Sequence, residues 1–438
     1  MKKQRLAPAK IAFRFLGLLL AFGVGAALLR AQQLPVLRRA RILPSIVRLD
    51  PGQQQQFKIL QVHRLTPTLV MKNVQWAVND IPGGNAELGT IDAQGIYRAP
   101  QQIPVPNEIH ICATANGAAN RYLWATVLVG SKRPTYKVIR DWGEPRLHVV
   151  SRRDARRKKA LLIAPHGITL DATGNILVVD EGSSRVVRYS PQGKYLGQIG
   201  LGPGGSELHP VRGGYFTHPR CATVDAQGNV FVANMRSESH IEVFTPQGKF
   251  LYSFAVKGTE PGMLLRPHGI QFDSHQRLYV DDVDNFRINV YDHSGKFLFE
   301  WGKGGTLPGE LNPPHGIFID RNDNVFVCSY YGAAQKFTAD GHFLKAFAHP
   351  DPPDGPITYH TLNGDRWGDI YLSVRTLKDD PKHYISILKY NNNGDFITAL
   401  QLSTPDCRSK WVAVDKDGTV YSAYQGKDEV GVEVLREQ

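Results

Sequence analysis

The chain has 438 residues, enough for two or three domains with hydrophobic cores. Its formal charge of +12 would suggest a nucleic-acid partner, but residues 1–41 hold nine basic residues and no acidic one, which leaves +3 (12 − 9) for the rest. The charge therefore gives no reason to expect a nucleic-acid ligand.

Residues 1–31 combine basic residues with an apolar run from Phe15 to Leu29. As a helix this run would rise roughly 22 Å, short of the ~30 Å hydrocarbon core of a bilayer. We therefore expect a cleaved export signal in preference to a membrane anchor; if the segment is retained, residues 11–30 would form a tether. In both cases the bulk of the chain lies outside the cytoplasm, in the periplasm or the extracellular space.

Residues 42–130 alternate apolar and polar residues between turn residues, a pattern typical of a small β-sandwich. One phrase places Trp76 in a strand and continues with Gly-Thr-Ile at 89–91 and Gly-Ile-Tyr-Arg-Ala-Pro at 95–100. This phrase resembles the bacterial immunoglobulin-like domains of exported proteins. The resemblance implies a spacer or an adhesive module, with Trp76 and Tyr97 in its core.

From residue 136 to residue 438 one phrase recurs. Pro-His-Gly-Ile stands at 165–168, 267–270 and 314–317, and an Asp and a turn follow each copy. Aligning the Asp residues gives six units, separated by 54, 48, 47, 45 and 50 residues. Units of this number and length predict a six-bladed β-propeller with four strands per blade. The aligned residues are Asp171, Asp225, Asp273, Asp320, Asp365 and Asp415.

The sixth unit ends at residues 432–435 without an outer strand, whereas residues 136–143 match an outer strand of the third unit, residues 297–302. We expect residues 136–143 to complete the last blade and close the ring, because closure removes exposed strand edges. The predicted fold class is all-β: a sandwich over residues 42–130, then a propeller over residues 136–438.

The repeat is similar to the NHL family of six-bladed propellers across residues 136–438. Its markers are P-x-G-I-x-x-D, G-N-x-x-V, and R-[IV]-x-x-[FY] after an acidic turn. Arg185 and Arg287 recur at one phase of the repeat, so we expect each to form a structural ion pair or a bond within a turn.

The residue five positions before each aligned Asp defines a ring in the predicted propeller. Innermost strands line the central channel, so one position per blade at equal height surrounds the axis. Imidazole is a ligand for zinc and similar divalent ions, which makes the ring histidines candidate metal ligands, with structural calcium as a second ion. Alternatively, each histidine bonds a backbone group of the neighbouring blade. The ring consists of His166, Arg220, His268, His315, His360 and Lys410.

The Pro-His-Gly phrases also resemble those of the peptidyl-α-hydroxyglycine α-amidating lyases, a group of NHL-type propellers. This resemblance implies a catalytic zinc held by three histidines, and a Tyr and an Arg that assist cleavage of the N–C bond of a C-terminal hydroxyglycine. Carried onto this sequence, it gives His166 and His268 as zinc ligands, with either His360 or His315 as the third. Arg220 would hold the substrate carboxylate.

The assisting Tyr departs from the family pattern. The matching stretch here is Asn234-Met235-Arg236, which has no Tyr. A Tyr stands at the same phase in the fourth unit, because Tyr331 follows Asp320 by eleven residues, as Arg236 follows Asp225. Tyr331 is therefore the candidate base.

A non-catalytic scaffold is the competing class of function. In that case the top face of the propeller binds a small peptide, a glycan or a protein, and backbone bonds occupy the ring histidines. A sugar-lactone or ester hydrolase ranks last, because it needs acidic calcium ligands on the axis and the ring offers none.

Overall fold

A computed structural model of the protein describes most of the chain beyond residue 39. Within the described residues the fold is all-β, with two short 3₁₀ segments at Glu181–Ser183 and Val283–Asn285. Among these residues no helix has the length and apolar character needed to cross a membrane. The predicted export signal lies outside them. The described ranges are 40–63, 66–70, 74–115, 122–130, 133–142, 144–145, 162–200, 213–235, 239–347, 357–376, 385–402, 411–425 and 429–438.

Short strands form the N-terminal region of the described chain. They are β1 (Ala40–Leu43), β2 (Ile46–Leu49), β3 (Gln54–Gln56), β4 (Lys58–His63), β5 (Thr66–Val70), β6 (Val74–Val78), β7 (Ile81–Pro82), β8 (Gly84–Asn85), β9 (Gly89–Ile91), β10 (Ile96–Arg98), β11 (Glu108–Ala115) and β12 (Tyr122–Val129).

The N-terminal strands form three sheets that enclose one hydrophobic core. The strand orders are β1-β4-β5, β2-β12-β11-β6-β7 and β3-β10-β9-β8. Trp76 and Tyr97 are buried in this core with Phe57, and the Tyr97 hydroxyl donates a hydrogen bond to the Leu88 carbonyl over 2.6 Å. The core residues expected from the sequence are therefore in place. The immunoglobulin-like assignment and the boundaries of the two domains stay predictions.

The following strands build the first half of the propeller. They are β13 (Tyr136–Asp141), β14 (Glu144–Pro145), β15 (Pro165–Leu170), β16 (Ile176–Asp180), β17 (Arg185–Tyr189), β18 (Tyr195–Ile199), β19 (Pro219–Val224), β20 (Val230–Asn234), β21 (His240–Phe244), β22 (Phe250–Phe254), β23 (Pro267–Phe272), β24 (Leu278–Asp282), β25 (Arg287–Tyr291) and β26 (Phe297–Trp301).

The second half of the propeller continues in the same way. Its strands are β27 (Pro314–Ile319), β28 (Val325–Ser329), β29 (Ala334–Phe337), β30 (Phe343–Phe347), β31 (Ile357–Gly364), β32 (Ile370–Thr376), β33 (Ile385–Tyr390), β34 (Phe396–Gln401), β35 (Trp411–Val414), β36 (Val420–Gln425) and β37 (Glu429–Glu437).

These strands form six antiparallel blades around one axis. Blades 1 to 5 are β15–β18, β19–β22, β23–β26, β27–β30 and β31–β34, and blade 6 has the order β35-β36-β37-β13. The first strands of successive blades contact each other in turn, and β35 contacts β15 to complete the circle. The outer strand of blade 6 is β13, with Tyr136 opposite Glu437. The six blades and the closing strand predicted from the sequence are thus confirmed for the described part of the chain.

The repeated Asp closes the turn between the first and second strands of each blade. In blade 4, for example, Oδ1 of Asp320 accepts backbone N–H bonds from Asn322 and Asn324, each over 2.9 Å. A side chain that bonds its own backbone two and four residues on fixes a tight turn locally. These turns lie at the opposite end of the first strands from the Pro-His-Gly phrases, so we call the faces of the propeller lower (Asp turns) and upper (Pro-His-Gly phrases).

Arg185 and Arg287 occupy equivalent places behind the upper face. Nε of Arg185 lies 3.7 Å from Oδ2 of Asp180, and Nε of Arg287 lies 3.7 Å from Oδ2 of Asp282. Both arginines are buried. The two structural ion pairs expected from the repeat are present.

Candidate functional site

The ring histidines sit at the first residues of the innermost strands. In blades 1, 4 and 5 the register of the first two strands shifts at His166, His315 and His360, which makes each histidine the extra residue of a β-bulge. A bulge turns a side chain out of the regular alternation of the strand. Imidazoles of different blades consequently meet near the axis. Lys410 lies outside the described residues.

Three imidazoles contact the backbone of the next ring residue. Nδ1 of His166 lies 3.2 Å from the carbonyl oxygen of Arg220, Nδ1 of His268 lies 3.0 Å from that of His315, and Nδ1 of His315 lies 2.8 Å from that of His360. These are the contacts that the structural interpretation of the ring requires. For His268 and His315 they place the proton on Nδ1 and leave the lone pair on Nε2, the arrangement that metal-binding histidines adopt.

Trp411 gives His166 a different tautomer. The Trp411 indole N–H donates to Nδ1 of His166 over 2.8 Å. An indole N–H can only donate, so Nδ1 accepts and the proton of His166 lies on Nε2. The indole also lies 5.1 Å from the His268 ring, centroid to centroid, and therefore spans the channel from blade 6 to blade 3.

Burial keeps the central histidines neutral. Desolvation holds the pKa of His268 well below its ordinary value, and the nearby His315, His166 and Arg220 act in the same direction. Desolvation also lowers the pKa of His315 to about 3, although the bond to the His360 carbonyl opposes the shift. Both rings are thus uncharged at neutral pH, which is the form that binds metal ions.

The histidine rings lie close together, but their ligand atoms do not converge as they would around a bound metal ion. The ring centroids of His268 and His315 are 3.9 Å apart, those of His166 and His268 are 5.0 Å apart, and those of His315 and His360 are 5.8 Å apart. Within the described residues, the ring histidines do not bring three ligand atoms within 4.8 Å of one another. Side-chain rotation would be needed to bind one ion.

Arg220 lies in the ring between blades 1 and 3. Its Nη1 is 2.9 Å from Oε2 of Glu181, and its Nε is 2.9 Å from Sδ of Met235. The guanidinium is partly buried and points towards blade 1. A substrate carboxylate at Arg220 would therefore share the guanidinium with Glu181.

Tyr331 and its neighbour Tyr330 lie at the edge of the ring. Tyr331 is 62% exposed and its ring is 4.7 Å from that of Tyr330. The ring of Tyr330 lies 5.0 Å from His315 and 5.4 Å from His360. Tyr330, one residue before the phase chosen from the sequence, is thus the tyrosine that contacts the histidines, and Trp411, one residue after the ring phase, is the second neighbour that the sequence did not reveal.

A second buried polar cluster lies at the lower face. Glu108, His110 and Asp369 have ligand atoms within 4.8 Å of one another. Nζ of Lys389, however, lies 2.6 Å from Oε2 of Glu108 and 3.4 Å from Oδ2 of Asp369. The ammonium already supplies the positive charge between the carboxyl groups, so this cluster is an ion-pair network between β11 and blade 5.

A third cluster, on the lower surface, has the same limitation. Asp273, His275 and Asp323 bring ligand atoms within 4.8 Å of one another. Nε of Arg277 lies 2.6 Å from Oδ2 of Asp273, and Ser274 donates its hydroxyl to Oδ2 of Asp323 over 2.7 Å. The carboxylates are thus already engaged by protein donors.

The strand order defines a six-bladed β-propeller, and the NHL repeat family matches residues 162–189, in blade 1. Over 140 residues the chain is 31% identical to the peptidyl-glycine alpha-amidating monooxygenase of Mus musculus, covering 30% of this chain and 14% of that protein. The corresponding protein A of Xenopus laevis is 32% identical over 140 residues, with the same coverage. The similarity thus spans a small part of these relatives.

Solved structures match this chain at low sequence identity and with TM-scores below 0.5. One is a virginiamycin B lyase from Staphylococcus aureus, with 14% identity, a TM-score of 0.43, and coverage of 62% of this chain and 94% of that one. Another is a Bacteroides thetaiotaomicron protein of unknown function, with 12% identity, a TM-score of 0.48, and coverage of 90% and 96%. The propeller assignment rests on the strand order and on the contacts that close the ring.

Proposed function

We propose that the ring histidines bind a divalent metal ion, zinc in the first place, and that the upper face acts on peptides that end in α-hydroxyglycine. The proposal rests on one observation above all. The Nδ1 bonds of His268 and His315 to backbone carbonyls orient both rings and leave the Nε2 lone pairs for a metal. The partial likeness to alpha-amidating monooxygenases supports the same class of peptide chemistry.

His166, His268 and one of His315 and His360 would hold the ion. A bound zinc ion would supply Lewis-acid polarisation of the substrate hydroxyl. His268 and His315 fit this part because both are neutral and anchored. His166 fits it after its bond from Trp411 is exchanged for a metal bond.

The remaining residues would orient the substrate and move its protons. Arg220 would bind the carboxylate of the hydroxyglycine, in exchange for part of its contact with Glu181. A tyrosine would take the proton of the hydroxyl as the C–N bond breaks, and the leaving amide nitrogen would gain a proton. Tyr331 is the base expected from the repeat, and Tyr330 is the alternative because it contacts His315 and His360. The products would be a peptide amide and glyoxylate.

The test is metal content together with turnover. We expect purified protein to hold about one zinc ion per chain and to release glyoxylate from a synthetic peptide ending in α-hydroxyglycine. His268→Ala should lose the metal and the activity. The control is His342→Ala, because the His342 side chain is 78% exposed and lies in the turn between β29 and β30, at the lower face. Equal zinc content in both variants and the wild type would overturn the metal site.

A binding scaffold without turnover is the second candidate function. It is favoured by the absence of three converging ligand atoms among the described ring histidines. In that case the upper face would bind a peptide, a glycan or a protein, and zinc addition would leave the imidazole NMR signals of His268 and His315 unchanged. Export from the cytoplasm belongs to the proposal in both cases and rests on residues 1–31.

A further inference from the structure

Blade 3 departs from its neighbours beside the central histidine. In blades 1 and 4 the glycine of the Pro-His-Gly phrase is a ladder partner of the second strand, as Gly167 is of Val179 and Gly316 of Cys328. In blade 3 the ladder skips from Pro267 to Ile270, so both His268 and Gly269 lack a ladder partner. The backbone around His268 is thus not held by ladder bonds to the second strand, unlike the glycines of blades 1 and 4.

Asp281 provides a side-chain hydrogen-bond acceptor where the ladder bonds are missing. It is the residue before the ladder partner of Pro267, the position held by Val179 in blade 1 and Cys328 in blade 4. Its Oδ1 accepts the backbone N–H of Gly269 over 2.8 Å. The side chain of Asp281 therefore binds the Gly269 N–H, which has no ladder partner.

The surroundings of Asp281 fix its position. The residue is fully buried, and its Oδ2 has no hydrogen-bond partner among the described protein groups. A Cβ added to Gly269 would lie 2.6 Å from this Oδ2 and 3.0 Å from the backbone nitrogen of Ile317 in blade 4. Glycine is required at 269 because the carboxyl and the next blade fill the space. A buried carboxyl is costly, so its retention here calls for a role beyond packing.

His268 is the residue that gains from this arrangement. Its ring contacts those of His166, His315 and Trp411, which come from three other blades. A displacement of the His268 backbone would therefore alter all three ring contacts. We propose that Asp281 is a positioning residue for the ring: its carboxyl holds the His268–Gly269 backbone and thereby fixes the His268 imidazole at the centre of the upper face.

The inference deepens the proposed function, and it is tested by two substitutions of similar size. Asp281→Asn keeps an oxygen acceptor for the Gly269 N–H. Asp281→Val removes it, and valine is compatible with this position because Val179 holds it in blade 1. Thermal unfolding identifies folded variants. If Asp281→Val does not fold, Asp281→Cys replaces it, after Cys328 in blade 4.

Zinc affinity and imidazole NMR then test the positioning role of Asp281 in the folded variants. We expect Asp281→Val to weaken zinc binding by about 10- to 100-fold, the usual effect of losing a group that orients a ligand, and Asp281→Asn to stay within about threefold of the wild type. The ¹⁵N signal of His268 should shift in the valine variant alone. Cys328→Val, at the same position of blade 4, is the control that should leave that signal unchanged.

The outcomes separate the two proposals. If the wild type binds no zinc, the proposed function fails, and the His268 signal still tests the positioning role. If the signal is the same in folded Asp281→Val as in the wild type, or if Asp281→Asn shifts it as far as Asp281→Val does, the positioning role is overturned.

Discussion

Each face of the propeller buries a polar cluster, and the two clusters compensate the desolvation of their polar groups differently. At the lower face Lys389 forms short bonds to Glu108, and the His110 ring stacks on Trp367 with 4.5 Å between centroids. At the upper face neutral imidazoles bond backbone carbonyls. In the lower cluster the Lys389 ammonium offsets the charge of the carboxyl groups. The upper cluster keeps the Nε2 lone pairs of His268 and His315 for a ligand.

The lower cluster also links the N-terminal region to the propeller. Glu108 and His110 belong to β11, whereas Lys389 belongs to blade 5. Asn391 donates its amide to the Ser45 carbonyl over 2.9 Å, and Asn393 donates to the Trp124 carbonyl over 3.0 Å. The N-terminal sheets are therefore docked on the lower face of the propeller, opposite the face that carries the ring.

The largest effect should follow from breaking the lower cluster. Lys389→Met leaves the Glu108 carboxylate buried without its cation, so we expect a loss of about 3–5 kcal/mol in the free energy of unfolding. Urea denaturation measures it. Lys303→Met is the matched control, because the Lys303 side chain is 77% exposed in its ion pair with Glu310; its loss should stay below about 1 kcal/mol. Similar losses in both variants would contradict the stabilising role of the buried Lys389 ammonium in the lower cluster.

The pH dependence of stability should distinguish the upper cluster. The folded-state pKa of His315 is about 3, below its ordinary value of 6.5. Between these pH values the unfolded chain binds a proton that the folded chain does not, so stability falls as the pH falls. For this residue the slope is up to about 1.4 kcal/mol per pH unit.

His315→Asn isolates this contribution. The variant should lose less stability than the wild type between about pH 6 and pH 4, when unfolding is measured by urea at each pH. Groups that do not interact with His315 cancel in the difference between the two proteins. Parallel pH profiles would show that His315 takes up its proton equally in both states, contrary to its burial.

The smallest effect concerns Trp411. Trp411→Phe removes the indole N–H that holds the proton of His166 on Nε2, and so removes a competitor of metal binding at this residue. We expect zinc to bind about tenfold more tightly, as measured by competition with a chelator. Trp301→Phe serves as the control because this indole packs on Phe337, away from the ring. Unchanged affinity in Trp411→Phe would mean that His166 is not a ligand.

Much of the propeller could be predicted from the sequence because its signals are local. Each aligned Asp bonds its own backbone, as Asp320 does, so the turn and the blade spacing follow from a few neighbouring residues. The ring position could be counted from the same Asp. His268 and His315 do bond the next blade, but whether they also bind metal depends on side-chain orientation, which the spacing does not encode.

The rest depends on contacts between distant parts of the chain. Glu108 and Lys389 are separated by 281 residues, and neither stands in a motif that would pair them. Trp411 and Tyr330 each lie one residue from the phases that were counted, Trp411 at the start of β35 and Tyr330 just after the end of β28. No sequence motif distinguishes Asp281 from other residues of the second strands. Its role depends on Gly269, which has no ladder partner and donates its N–H to Asp281.

The pairing of β13 with β37 has a consequence for how the protein is made. Residues 136–141 can find their partner only when residues 429–437 have left the ribosome, about 290 residues later. At 5–20 residues per second this delay is on the order of 15–60 s. Throughout that time the edge of β13 is unpaired and blades 1 to 5 form an open arc, so the nascent chain is most exposed to misassociation just before synthesis reaches β37.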